Sequence, residues 1–384
     1  MITDLKLPAG ALIAPDFNLT IKDKALERSL SKRVVAVTMT DNSALKADEL
    51  KIVFDDSDGQ FEMPERGAVL TLHLGWKGQP LYRCGSFTVD SVIHSGAPDI
   101  LTVIARSADL RGSLNKVLSY SYDDWTLGAI VRMISKKNNL NPPVLPKDIE
   151  GIHVRHIDQT NETDLQFLTR LASCYGAQIT VKEGAIGFTR PGYPTSATGR
   201  RLPVTHLERS DGDSHSFTLN DREAYSGVSA SWLDVKTMRN DQVVAQRNAG
   251  TTMSQDPLHP AAKPKVGTSS ETAHAPNYMV GDAKNVLTLK KIYPDEESAK
   301  HAADAIFKII SAGVATFSIN LALGRPDLFT QTPVVVSGFK EVINRQQWII
   351  TKLEHSLSAS GLTTKLSLAL MLEEGSYVLS ESQN

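Results

Sequence analysis

Apolar and polar side chains alternate in short runs through the first hundred residues: Phe17 to Ile21, Val34 to Thr40, Val69 to Gly75, Phe87 to His94 and Ile100 to Ala105. A period of two puts successive side chains on opposite faces, so these runs predict half-buried antiparallel strands. Asp58-Gly59, between Ile52-Val53-Phe54 and Val69-Leu70, reads as a turn because glycine accepts positive φ without steric cost. Residues 1–105 are expected to form a first β-barrel domain.

The period then changes. Leu127, Ile130, Val131 and Ile134 share one helical face, and the segment stops near Asn138-Asn139 and Pro142-Pro143. A second helix follows Asn161, with Leu165, Leu168, Ala172 and Tyr175 on one side and Gly176 in the position of a C-terminal cap. Short strands are predicted at Gln178 to Val181 and Ile186 to Thr189, so residues 106–190 read as a small α+β insertion. Residues 191–204, rich in proline, glycine and small polar residues, are expected to be a linker.

Strands resume with Val228, Ala230 and Trp232 on one face, opening a second β-barrel domain at 205–384. Residues 234–285 lack a convincing apolar period and hold Asp256-Pro257, His259-Pro260, Lys263-Pro264 and Ala275-Pro276, which predicts a long partner-binding loop. A helix is expected over 295–312, with Ala299, Ala302, Ala303, Ile306 and Ile310 inward. Then comes a clean strand in which Phe317, Ile319, Leu321 and Leu323 alternate with Ser318, Asn320 and Ala322. Further strands are expected at Val334 to Val336, Trp348 to Leu353 and Leu362 to Leu370.

The two β regions carry the same string of landmarks. Gly75-Trp76-Lys77, Phe87, His94-Ser95, Gly96 and Leu101-Thr102 in the first match Gly338-Phe339-Lys340, Trp348, His355-Ser356, Gly361 and Leu362-Thr363 in the second. The aromatic residue precedes the His-Ser pair by the same interval in both. Duplication of one β fold explains this, and it would give one chain two similar faces. The fold class expected is α+β, mainly β: two related tube-like antiparallel β-barrel domains with a small α+β insertion between them.

Composition narrows the function. Forty-one Lys and Arg against 43 Asp and Glu leave a formal net charge of -2, so no global basic field exists to hold a nucleic-acid backbone. No secretory signal is read at Met1 to Gly10. The apolar stretch Ile309 to Leu323 is interrupted by Ser311, Ser318 and Asn320 and is too short to cross a bilayer, so no membrane anchor is expected. Cys84 and Cys174 form no CxxC pair and read as reduced thiols buried as small hydrophobes.

Candidate chemistry is sparse. Gly212-Asp213-Ser214-His215 matches the opening string of one class of serine hydrolases, but it lacks the buried strand and following helix that present such a nucleophile, and a polar loop is the better reading. His153 and His156 sit in an extended segment and would point to opposite faces. Asp55-Asp56-Ser57-Asp58-Gly59 resembles the start of a calcium loop but has no terminal Glu near Gly67, so a solvated turn is expected. No catalytic, cofactor-binding or metal-ligating residue is assigned, no cofactor is implied, and the chain is read as not an enzyme.

The stretch His156-Ile157-Asp158-Gln159-Thr160-Asn161-Glu162-Thr163-Asp164-Leu165-Gln166-Phe167-Leu168-Thr169-Arg170-Leu171-Ala172 resembles the late control D family of phage tail proteins. It is similar, more loosely, to the matching segment of type VI secretion spike proteins. Thr126 to Val131, Asp55 to Pro64 with Gly67, and Gly338 to Leu370 fit the family as well, while 234–285 fits least.

The resemblance implies a structural baseplate hub that joins the hexameric tail tube to the trimeric central spike of a contractile phage or bacteriocin-like tail. It also implies a homotrimer whose partners are the tail tube protein, the central spike protein and other baseplate proteins, assembled in the host bacterial cytoplasm. Alternatives are a tail-associated cell-wall hydrolase acting through Ser214, and the hub part of a type VI spike. Against the latter, the end at Asn384 is expected to leave no room for that spike's β-helix.

Overall fold

The computed structural model describes residues 14–21, 24–25, 32–43, 47–107, 113–182, 184–189, 194, 201–219, 225–234, 239–247, 285–293, 296–371 and 377–382. The first region contributes β1 (Pro15–Ile21), β2 (Lys24–Ala25), β3 (Val34–Asn42), β4 (Glu49–Asp55), β5 (Val69–Trp76), β6 (Tyr82–Ser95) and β7 (Ile100–Arg106). Leu50, Ile52 and Phe54 of β4 are buried and alternate with outward residues, as the period of two requires.

The insertion follows with β8 (Val117–Thr126), α1 (Leu127–Lys137), β9 (Asn141–Val144), β10 (His153–Thr163), α2 (Asp164–Cys174), β11 (Gln178–Lys182) and β12 (Ala185–Thr189). β8 and β10 form a ribbon, and β11, β12 and β9 a small sheet. Tyr122, Leu127, Ile130, Ile134, Phe167, Leu171 and Phe188 lie in a core of its own. α1 stops at the Asn138-Asn139 pair and α2 just before Gly176, as expected, while β10 runs past Asn161 to Thr163 before α2 starts.

Beyond the linker lie β13 (Thr205–Glu208), β14 (Gly212–Leu219), β15 (Gly227–Asp234), β16 (Arg239–Arg247), β17 (Val286–Tyr293), α3 (Glu296–Gly313), β18 (Ala315–Leu321), β19 (Pro333–Ser337), β20 (Gln347–Ser358), β21 (Gly361–Leu370) and β22 (Tyr377–Ser382). β17, β15, β16 and β22 form a separate four-stranded sheet on which α3 packs. Val228, Ala230, Val243 and Ala245 face Ala299, Ala302, Ala303 and Phe307 there. Part of the loop expected at 234–285 is therefore strand, β16. Its stretch 248–284 lies outside the described residues, as does most of the linker at 191–204.

The remaining strands join one 13-stranded sheet ordered β14-β18-β21-β20-β3-β4-β7-β6-β5-β1-β2, with β19 pairing β20 and β13 pairing β19. The first copy reads β3-β4-β7-β6-β5-β1 and the second β14-β18-β21-β20-β19-β13, the same order in both chain and space. One difference is that β13 runs parallel to β19, whereas β1 is antiparallel to β5.

Equivalent β-bulges reinforce the match. The β6–β7 ladder slips between Val89 and Ser91, and the β20–β21 ladder between Ile350 and Lys352. The β3–β4 ladder slips between Val34 and Ala36 opposite Phe54, and the β14–β18 ladder between Gly212 and Ser214 opposite Leu321. A bulge re-aims its strand and persists as a designed feature, so two shared ones argue for duplication more strongly than strand order does.

Among the described residues, pairing closes neither copy into a ring. The copies instead run together where β20 pairs β3, from Lys352 opposite Asn42 to Leu357 opposite Val37. One hydrophobic core spans both, from Leu19 and Leu72 to Phe317 and Trp348. The Trp76 indole N–H donates to the Gly324 carbonyl across the join at 3.2 Å.

Candidate assembly interface

The family-like segment around Asp164 is a structural weld. Thr163 caps α2: its hydroxyl accepts from the Gln166 N–H, and the Gln166 side chain accepts from the Thr163 N–H, a complete capping box. Asp164 is fully buried. Its carboxylate accepts from Lys137 Nζ at 3.1 Å, Asn138 Nδ2 at 2.8 Å and Gln159 Nε2 at 3.0 Å. One carboxylate thus ties the start of α2 to the end of α1 and to β10.

On the other side of α2, the Arg170 guanidinium grips the Glu162 carboxylate, donates to the Asp158 carbonyl at 2.6 Å and lies over the Phe167 ring. At the C-terminus Gly176 takes φ of +71°, and an added Cβ would stand 3.0 Å from Ala305 Cβ on α3. The motif therefore encodes how the insertion packs.

A second polar cluster joins three parts of the chain. Lys182 on β11 donates to Asp41 Oδ1 at the end of β3 and lies 3.4 Å from Asp48 Oδ2 before β4. Asp41 also accepts from the Thr330 N–H at 2.9 Å, in the second copy. Asp48 accepts from the Asn42 N–H at 2.9 Å. A cavity of about 370 Å³ opens beside the cluster, lined also by Cys84 and Phe87.

Burial first, and the Asp41 charge second, push the Asp48 carboxyl up to about 6, against the pull of Lys182 and the Asn42 N–H. Burial draws the Lys182 ammonium down, but the charges of Asp41 and Asp48 outweigh it and leave it above its ordinary value. None of Asp41, Asp48, Lys182 or Thr330 stands out in the sequence. Their contacts span the chain, and no local pattern marks them.

The landmark histidines occupy equivalent strands in unequal surroundings. His355 on β20 is buried, with Nδ1 2.8 Å from Thr364 Oγ1, and burial pushes its imidazole down to about 4. His94 on β6 is 40% exposed, with Nε2 3.5 Å from Asp56 Oδ2 and 4.0 Å from Asp99 Oδ2. Phe87 lies opposite Leu70, and Trp348 opposite Val334. Pairing sets Leu101 opposite His94 but Thr364 opposite His355, so the landmark match of Leu101 with Leu362 slips at the hairpin.

The other sequence candidates fall apart from one another. Gly212 to His215 is the start of edge strand β14, not a loop. Ser214 Oγ lies 3.5 Å from Asp213 Oδ1, and the His215 ring packs on Phe317 and Phe339. His156 sits between Asp123, at 2.6 Å, and Asp158, at 3.2 Å, on the exposed ribbon, and His153 faces Asp124 at 3.9 Å. Asp55 to Gly59 is a turn in which the Gly59 N–H donates to the Asp56 carbonyl and Asp58 pairs with Arg33.

Cys84 and Cys174 are both unpaired and only partly buried by surface exposure, and burial raises the Cys84 thiol to about 12. Among the described residues, no group of three or more His, Cys, Asp or Glu is arranged to hold a metal ion. No described helix is long and apolar enough to cross a membrane. What the geometry offers is two like sheet units and two smaller packed bodies, one of them tied to the sheet through Lys182 and Asp41.

The family model described as phage tail baseplate hub (GPD) matches residues 49–361. The chain is 45% identical over 383 residues to the probable baseplate hub protein of Escherichia phage 186, covering 98% of both. It is 43% identical over 382 residues to the probable baseplate hub protein of Escherichia phage P2, again covering 98% of both. The tail protein from Neisseria meningitidis MC58 shares the fold at a TM-score of 0.60 and 13% identity, over 94% of this chain and 98% of that one.

Proposed function

The chain belongs to the phage tail baseplate hub (GPD) family, and from that premise we propose that three copies form a ring joining the tail tube to the central spike. Its relatives are virion tail components, and the role that the geometry supports is structural. The duplicated sheet unit carries this reading: the same six-strand order and the same two bulges occur twice in one chain. Two like units per chain become six in a closed ring of three, which suits a hexameric tube on one side and a three-fold spike on the other.

The welds at Asp164 and Asp41 suit a part that transmits load. Asp164 binds the elements of the insertion to one another, and Asp41 fixes the insertion to the sheet; each is a buried carboxylate whose partners come from separate elements, so displacement would strip several hydrogen bonds at once. On this reading the partners are the tail tube protein, the central spike protein and other baseplate proteins, and assembly takes place in the host cytoplasm. No catalytic step is assigned to the chain.

Stoichiometry tests the ring. Counting this chain against the tube protein in purified tails, by reconstruction or quantitative mass analysis, is expected to give three copies per particle. One copy or six would refute it. Incubation of purified tails with peptidoglycan is expected to release the same fragments from the parent and from Ser214→Ala, and a loss confined to the variant would restore the hydrolase reading.

A further inference from the structure

The fold keeps a carboxylate that works against it. Asp41, at the end of β3, and Asp48, just before β4, stand together, and among the described residues Lys182 is the one cation paired with them. Two carboxylates against one ammonium leave a charge unanswered. The Asp48 side chain is only 9% exposed, so water answers little of it. A charge buried in this way is costly, and such groups collect where a protein has something to hold.

The cavity beside the pair, about 370 Å³, has apolar walls and open acceptors. Val144 and Ile186 of the insertion, Cys84 and Phe87 of β6, Leu202 and Phe329 form the walls. Asp48 Oδ1 accepts from the Asn42 N–H at 2.9 Å, whereas Oδ2 has only Lys182, at 3.4 Å. Gln331 lines the same space, and its Oε1 is buried without a donor. Its backbone stands at a φ of +70°, in the left-handed region that a residue with a side chain adopts at a cost. Buried polar atoms nearly always find a hydrogen bond, so an open acceptor beside a half-answered carboxylate points to a donor that the single chain does not supply. Phe329, 45% exposed, stands at the rim, where a protein surface would cover it and a small cation would not.

We infer that this cavity receives a lysine or arginine side chain of another tail protein, whose cationic head pairs with Asp48 and donates to Gln331 Oε1 while its stem lies against Val144 and Leu202. Such side chains bury an aliphatic stem and carry several N–H donors on a positive head, which is the chemistry that the walls and the acceptors lack. The guanidinium fork suits two separate acceptors better than an ammonium does. Lys182 and its strand belong to the insertion, which the chain carries once, so the protein that fills the cavity meets each chain once. The inference rests on the chain's place in the tail and not on the number of copies in the ring.

Photo-crosslinking in assembled tails identifies the occupant. With p-benzoylphenylalanine in place of Phe329, light is expected to join this chain to a different tail protein at one site, with a lysine or arginine in the same turn or strand as the joined residue. Replacing that basic residue with alanine should lower the yield of tails about tenfold, the loss of one charge-assisted contact. Asp48→Asn should do the same, as should Ala185→Phe, which fills the cavity from the half-buried start of β12. Asp48→Asn combined with the partner's alanine should cost no more than either alone, because both remove the same contact.

Urea midpoints of the isolated chain separate folding from docking: Asp48→Asn is expected to be no less stable than the parent at pH 7.5, so its loss of tails does not come from unfolding. Tails formed by Asp48→Asn at parental yield overturn the inference. So does the absence of a crosslinked product, a product within one chain or between copies of this chain, or a partner with no basic residue at the joined site. In tails that hold three copies, each of these failures leaves the ring standing. The expected product in tails that hold six copies upholds the cavity and sinks the ring of three.

Discussion

Replacing Asp48 with asparagine is expected to stabilise the protein near neutral pH and to do nothing in acid. Asp48 is buried beside Asp41, and its carboxyl is held up at about 6 against an ordinary value of 3.8. The folded chain therefore keeps this proton more tightly than the unfolded chain does. The group's contribution to stability is complete below about pH 4 and is lost as pH rises through about 6. A shift of this size corresponds to about 3 kcal/mol once both states are ionised.

The amide of Asp48→Asn keeps an acceptor for the Asn42 N–H and never ionises, while Lys182 retains Asp41 as a partner. The attraction of Lys182 for ionised Asp48 is already contained in the shifted value, so it is not subtracted again. Urea midpoints of parent and variant, read by tryptophan fluorescence at fixed salt, should coincide near pH 4. They should diverge in favour of the variant by up to about 3 kcal/mol at pH 7.5. A difference that does not change between those pH values, or a variant less stable at pH 7.5, would refute the account of Asp48 as a carboxylate held at a cost.

His355 titrates with the opposite sign: its folded value of about 4 lies below the ordinary 6.5, so the stability it contributes is present above 6.5 and lost as pH falls through 4. His355→Gln should remove an acid loss of about 3 kcal/mol, measured as urea midpoints of the variant against the parent at pH 7 and pH 4. Asp164→Ala leaves Lys137, Asn138 and Gln159 donors without their shared acceptor and should cost about 3 kcal/mol, seen as a lower thermal midpoint. Gly176→Ala forces a Cβ into a φ of +71° against Ala305 and should cost about 1–2 kcal/mol, whereas Gly176→Asn, which tolerates that backbone better, should cost less in the same urea titration.

The duplication was legible because its landmarks sit on either side of a bulge that both copies keep. Phe87 and His94 flank the slip at Val89 to Ser91 as Trp348 and His355 flank that at Ile350 to Lys352, so the interval survives. The comparison failed one step later, at the hairpins. The first turn takes Gly96 to Asp99, and the second only Ala359-Ser360, with β20 and β21 running further before they turn. Turn length leaves no trace in the periodicity of the strands it joins.

Strand β16 escaped notice for another reason. Among its described side chains only Val243 and Ala245 are buried, too few to set a period, and its outer neighbour β22 comes from the far end of the chain. The Asp41 and Lys182 cluster had no signal at all. Charged residues at strand ends are a common surface pattern, and only the approach of three distant segments buries Asp41 and Asp48 and half-buries Lys182.

The two insertions settle which end of the sheet can carry the repeat. Asn42, Glu49 and Arg106 lie at one end of the first copy, where Lys182 of the insertion reaches Asp41 and Asp48. In the second copy, Leu219 and Ala315 lie at the equivalent end, and β15, β16, β17 and α3 are inserted between them. Gly176 against Ala305 shows that the two inserted bodies pack on each other there. They differ in sequence and fold, so that end has one copy of each per chain, which is three-fold in a ring of three. The opposite end holds the hairpins at Ser95 to Ile100 and Ser358 to Gly361, equivalent turns of equivalent strands, beside the connections that follow β4 and β18. In a ring of three, a six-fold repeat is available only at the hairpin end.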